Sequence, residues 1–132
     1  MLWLRKSKKG FTLIELMVVV AIIGVLALLG LRVYTGQQEK AKNAIVKANA
    51  GTVQTLIQGE LADTPALTEA AAVTLGGTAG LQNPYGGATV QAEGDPDVEG
   101  VVEVALTSSV FTITGLGGGT IPPVVITLTA RP

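Results

Sequence analysis

The chain has 132 residues, a formal charge of −1, no cysteine, no histidine and 4% aromatic residues. Without Cys or His it carries neither Ser-His nor Cys-His nucleophile systems nor the usual zinc ligands, and it cannot form a disulfide. With 9 basic residues against 10 acidic ones it offers no basic groove, so no direct nucleic-acid site is expected.

Residues 1–10 hold Arg5, Lys6, Lys8 and Lys9, and are followed by an apolar run from Phe11 to Leu31 whose only charge is Glu15. Arg32 closes the run. About twenty apolar residues at 1.5 Å rise match the ~30 Å hydrocarbon core of a bilayer. A secretory signal would end in an Ala-x-Ala-like cleavage site and a polar mature chain. Here the sequence runs on through Arg32, Val33 and Tyr34 into more helix-compatible residues. The basic residues before the run place the N-terminus in the cytoplasm and export everything beyond Arg32. A carboxylate at the centre of a membrane helix costs roughly 2.5 to 3.5 kcal/mol, less near an interface, so Glu15 marks a partner or a function.

The segment Gly10-Phe11-Thr12-Leu13-Ile14-Glu15-Leu16 closely resembles the processing and methylation site of type IV pilins and related pseudopilins, and the resemblance extends through Met17 to Tyr34. It implies that a prepilin peptidase cuts between Gly10 and Phe11 and that the new Phe11 amine is N-methylated. The leader, residues 1–10, is then lost and the apolar helix kept, which leaves a formal charge of −5 because four basic residues and no acidic one are removed. On a continuous helix the Phe11 amine would lie four residues from Glu15, on the same face. Pairing of that amine with Glu15 of a neighbouring copy would join two different surfaces, and a heterologous contact of this kind extends into an open filament. The resemblance further implies an inner-membrane precursor, an assembly platform there, and an extracellular pilus. Many members of the family carry proline where Arg32 stands, at the end of a segment that loses helical order on assembly. In this chain such melting would rest on Gly24 and Gly30; the alternative is that both glycines permit close helix packing.

Residues 33–60 continue the helix to about Gln58, giving roughly 70 Å if straight. Ala41, Ala44, Ile45, Ala48, Thr52 and Leu56 recur at three- and four-residue steps as its apolar stripe, with Glu39, Lys40, Lys42, Asn43, Lys47 and Asn49 on the other faces. Residues 61–100 read as a connecting loop. Asp63, Thr64 and Pro65 stop the helix, and a short turn of helix through Leu67 to Ala72 starts at Thr64 as cap with Pro65 first. Gly76, Gly77, Gly80, Asn83, Pro84, Gly86 and Gly87 read as extended loop, and Tyr85 as a side chain that pins it to the domain. Asp95, Asp97, Glu99 and Gly100 resemble the start of a calcium loop, but Leu106 stands where its bidentate Glu belongs and Pro96 stiffens the segment; the preferred reading is a solvated acidic turn and no cofactor.

Residues 101–132 alternate as strands over 101–107, 110–114 and 124–129, with Ser108-Ser109 as a tight hairpin turn and Gly115 to Pro123 as a longer connection. The expected fold is α+β, a long N-terminal helix packed against a small antiparallel sheet of three or four strands, as in the pilin fold. The expected function is a structural subunit of a type IV pilus that self-assembles and catalyses nothing. A pseudopilin of a secretion or DNA-uptake system is the alternative, and a single-span membrane-anchored binding module or hydrolase the reading from a different class.

Overall fold

The computed structural model describes residues 10–92, 98–119 and 121–130. Two helices, α1 (Leu13–Asp63) and α2 (Glu69–Thr78), precede four strands, β1 (Val90–Ala92), β2 (Val102–Thr107), β3 (Val110–Gly115) and β4 (Val124–Thr129). The chain divides into two units, one ending at Gly36 and one starting at Gln37. The first is helical throughout its described length from Leu13, and every side chain from Phe11 to Ala41 is exposed.

The second unit is built on the later part of α1, whose buried face is Val46, Asn49, Ala50, Val53 and Ile57. This corrects the stripe read from sequence. Ala41, Ala44, Ile45, Ala48 and Thr52 are exposed, Leu56 is half-buried, and Asn49 is buried rather than solvated. The reason is size: alanines and threonine gain little from burial, whereas each Val or Ile gains about 1.5 to 3 kcal/mol, so Val46, Val53 and Ile57 choose the face. Helix α1 also runs past Gln58 and Gly59 to Asp63, closing with Thr64 N–H on the Glu60 carbonyl at 2.6 Å. A helical glycine costs about 1 kcal/mol, less than packing Ile57 and the partly buried Leu61 on the core returns.

Helix α2 begins later than its proline suggested. Thr68, not Thr64, is the cap, its hydroxyl accepting from Ala71 N–H at 3.3 Å. The helix continues through Gly76 and Gly77, which the sequence had placed in a loop. Gly76 is there for proximity, because a Cβ would stand 2.9 Å from Val90 Cγ1 on β1.

The sheet has the order β1-β2-β3-β4. β2, β3 and β4 are antiparallel neighbours as expected, but β1 runs parallel to β2 with Val90 opposite Val102, so the sheet is mixed rather than antiparallel. Three residues carry too little alternation to announce a strand, and β1 lies in the span read as loop. Ser108 and Ser109 form the β2–β3 turn with φ of 49° and 68°, the left-handed pair that a two-residue hairpin of matching twist requires. One face of the sheet carries Val102, Val104, Phe111 and Ile113, all fully buried, with Ile126 and Leu128 packed against them. Gly115 lets this face close on α1, since a Cβ there would lie 3.3 Å from Val46 Cγ1 and 3.4 Å from Ala50 Cβ. Beyond the end of β1, the Leu106 N–H on the outer side of β2 is taken by Glu69 Oε2 at 2.9 Å. A long helix covered by a small sheet is the α+β pilin arrangement expected from the sequence.

Candidate functional site

The site begins where α1 begins. Thr12 precedes the first helical residue, and Glu15 Oε2 accepts from Thr12 N–H at 2.9 Å and from its hydroxyl at 2.8 Å. Thr12 Oγ1 in turn lies 3.3 Å from Glu15 N–H. This reciprocal pattern is a capping box, which satisfies two amides that a helix start leaves open. In the uncleaved chain Phe11 lies outside the helix and is 89% exposed, so its backbone nitrogen is not part of the helical face that carries Glu15. Thr12 takes the carboxylate instead. Its role was legible in the Thr-x-x-Glu spacing before an apolar run, a signal the sequence reading passed over.

From Leu13 onward the helix presents Leu, Ile, Val and Met side chains on all sides, each about half to three-quarters exposed. It is long and apolar enough to cross a membrane. A helix apolar all round is one meant to be surrounded by apolar matter, lipid or other helices. Gly24 and Gly30 are helical, and a Cβ at either would meet nothing within 4 Å. Residues Gly24 to Arg32 are continuous helix within α1, and the Thr35 hydroxyl donates to the Arg32 carbonyl at 3.1 Å without interrupting it.

A second cluster fixes the long connections of the second unit to α1. Asn43 Oδ1 accepts from Gly118 N–H at 2.9 Å and from the Tyr85 hydroxyl at 3.4 Å, and Asn43 Nδ2 donates to the Gly118 carbonyl at 3.4 Å. Lys42 Nζ stands 4.7 Å from the centre of the Tyr85 ring. Tyr85 thus pins its loop to the domain, as read from sequence. Asn83 shapes the same loop, accepting from Tyr85 N–H at 2.8 Å and donating to the Ala88 carbonyl at 2.8 Å. Nearly two turns further along α1, Asn49 Nδ2 donates to the Gln82 carbonyl at 3.0 Å. Neither Asn43 nor Asn49 was legible as a tether, because an Asn on a helix flank reads as solvated.

Asp95 and Asp97 of the calcium reading lie outside the described residues; Glu99 is an exposed residue of the turn that ends at Gly100. Among the described residues no three His, Cys, Asp or Glu side chains gather to hold a metal ion.

Residues 5–31 match the model of the prokaryotic N-terminal methylation motif. The fimbrial protein EcpB of Eikenella corrodens is 46% identical over 56 residues, 42% of this chain and 35% of that protein. The type IV major alpha-pilin of Moraxella bovis is 40% identical over 65 residues, 48% of this chain and 41% of that protein. Fimbrial protein Q of Moraxella bovis is 39% identical over 83 residues, 55% of this chain and 53% of that protein. The chain thus spans about a third to a half of the length of these curated relatives. No solved structure matches it significantly. Over its N-terminal segment the chain carries the prokaryotic N-terminal methylation motif and is similar to type IV pilins and fimbrial proteins.

Proposed function

We propose that the chain is a structural subunit of a type IV pilus, made as an inner-membrane precursor, cut between Gly10 and Phe11 by a prepilin peptidase, N-methylated on Phe11 and added by an assembly platform to an extracellular filament of its own copies. The observation that carries this reading is the exposed apolar surface of α1 from Leu13 to Tyr34, with Glu15 in its first turn. In the membrane that surface is covered by lipid, and in a filament by the same helices of other copies. The transfer is balanced, because tails and apolar side chains are similar solvents for one another. Glu15 gives the exchange a direction, since a charge left in an apolar bundle is stable only when a neighbour compensates it. The chain acts by assembly and disassembly, with no catalytic residue and no bound cofactor.

Shearing cells that express the chain, followed by electron microscopy of the sheared fraction beside cells lacking it, tests the proposal. Filaments made of the processed chain support it. Permanent residence of the full-length chain in the membrane, with no filament, identifies a single-span anchor of a binding module instead. Short filaments confined to the envelope, appearing only with a secretion or DNA-uptake machine, identify a pseudopilin.

A further inference from the structure

Beyond Arg32 the charges of α1 fall in two separated groups, Glu39, Lys40, Lys42 and Lys47 in the first and Glu60 and Asp63 in the second, and Glu39 lies about 80 to 100° around the helix from Lys40 and Lys47. Lys40 and Lys47 are exposed and lie two turns apart on one flank, while Glu60 and Asp63 occupy the last turn. Between Lys47 and Glu60 the helix has no charge. At about 100° per residue, the two lysines lie within ~20° of each other and point about 180° away from the mean direction of the two acids. The buried stripe of Val46, Ala50, Val53 and Ile57 runs between the two flanks. The groups are therefore on opposite sides of the helix, offset along its axis by about 27 Å.

Neither lysine makes an ion pair with another described residue; Glu60 contacts only the Thr64 hydroxyl, at 3.4 Å, and Asp63 has no such contact among the described residues. Lys42 is already engaged on the Tyr85 ring and does not belong to the free basic flank. The helix itself gains nothing from this placement. Two acids and no base in the last turn oppose the helix dipole, which favours cations there.

We infer that the flank of Lys40 and Lys47 docks on the flank of Glu60 and Asp63 of a second copy of this chain. This inference rests on the filament reading above. Two copies with parallel α1 helices, one shifted by about 27 Å along the axis, bring the unlike groups together. Each copy keeps one flank unused after the first contact, so the arrangement is heterologous and continues from copy to copy. Charge complementarity of this kind sets register and direction, while the apolar surface supplies the adhesion.

The absence of native cysteine makes the test clean. Ala44→Cys places a thiol on the basic flank between the two lysines, and Gly59→Cys places one a turn before Asp63, where a Cβ meets nothing within 4 Å. Full-length chains bearing one or the other, distinguished by tags, are co-expressed, and membranes and sheared filaments are oxidised. The mixed disulfide is expected to exceed either self-disulfide by about tenfold, and Lys40→Glu with Lys47→Glu in the Ala44→Cys chain is expected to remove it. Glu60→Lys with Asp63→Lys in the partner chain is expected to restore it, which shows that the reversed chain is folded. Equal yields of mixed and self-disulfides, insensitivity to the lysine reversals, or failure of the compensating reversals would each overturn the inference. Filaments without the mixed disulfide leave the pilus reading standing and sink this contact. The mixed disulfide in membranes of cells that never form filaments keeps the contact and sinks the pilus reading.

Discussion

Glu15 is bound by its own chain through Thr12 while standing at the head of a long apolar surface that is exposed in the described structure. Two roles can therefore be separated by substitution. Gln at the third helical position keeps a capping box, and Ala does not, but both remove the charge. Glu15→Gln and Glu15→Ala are expected to insert at least as well as the natural chain, because each removes a buried-charge cost of up to ~3 kcal/mol, and to be cleaved normally. Both are expected to lose filaments if the charge pairs with the Phe11 amine of another copy. Filament yield measured beside the extent of cleavage decides the matter. Normal filaments from Glu15→Gln but not from Glu15→Ala would assign Glu15 to the helix start alone, and uncleaved Glu15→Ala would assign it to peptidase recognition. Thr12→Val removes the hydroxyl at nearly constant shape, and is expected to speed amide exchange at the start of α1, where Thr12→Ser is not.

At the scale of elements, two adjacent glycines of α2 make opposite predictions. Gly77 has open space around it, so Gly77→Ala gains helix propensity and is expected to stabilise the chain by about 0.5 to 1 kcal/mol. Gly76→Ala drives a methyl against the stiff Val90 side chain and is expected to destabilise it by about 1 to 3 kcal/mol despite the same gain in propensity. Denaturation of the detergent-solubilised chain measures both; equal effects would show that α2 does not press on β1. Asn43→Ala strips the tether from Gly118 and Tyr85, and a loss of about 1 to 3 kcal/mol follows from three hydrogen bonds, one at 2.9 Å and two at 3.4 Å. That cluster answers how a chain without cysteine holds the connection from β3 to β4 against its helix.

How far these elements could be read beforehand depended on what carries them. The hairpin of β2 and β3, the strand β4 and the long helix announce themselves by alternation, turn residues and apolar length. β1 and the second half of α2 do not, because a three-residue strand has no period and Gly76 reports a contact with Val90 that is distant in sequence. The buried face of α1 was misread because alanine spacing was counted equally with valine and isoleucine, although burial rewards area rather than count. At the N-terminus the local pattern singles out Gly10, Phe11 and Glu15 as candidates, while the hydrogen bonds of Thr12 needed the geometry of the helix start.

At the scale of the whole molecule, the unit up to Gly36 exposes its apolar side chains, which the proposed function covers with lipid or with other copies, whereas the unit from Gln37 has its own core around Phe111, Ile113 and Ile57. Stability of the second unit is thus expected to be independent of metal. Chelator is expected to leave its melting temperature unchanged at millimolar calcium, and a fall would revive a calcium role for Asp95, Asp97 and Glu99. The central claim, that this chain is processed and then built into a filament, is tested most directly by the intact mass of the protein in sheared surface filaments. The account predicts one mature chain starting at methylated Phe11, and Gly10→Val should leave the full-length chain in the membrane. Filaments whose subunits retain Met1 to Gly10, or surface filaments lacking this chain altogether, would contradict it.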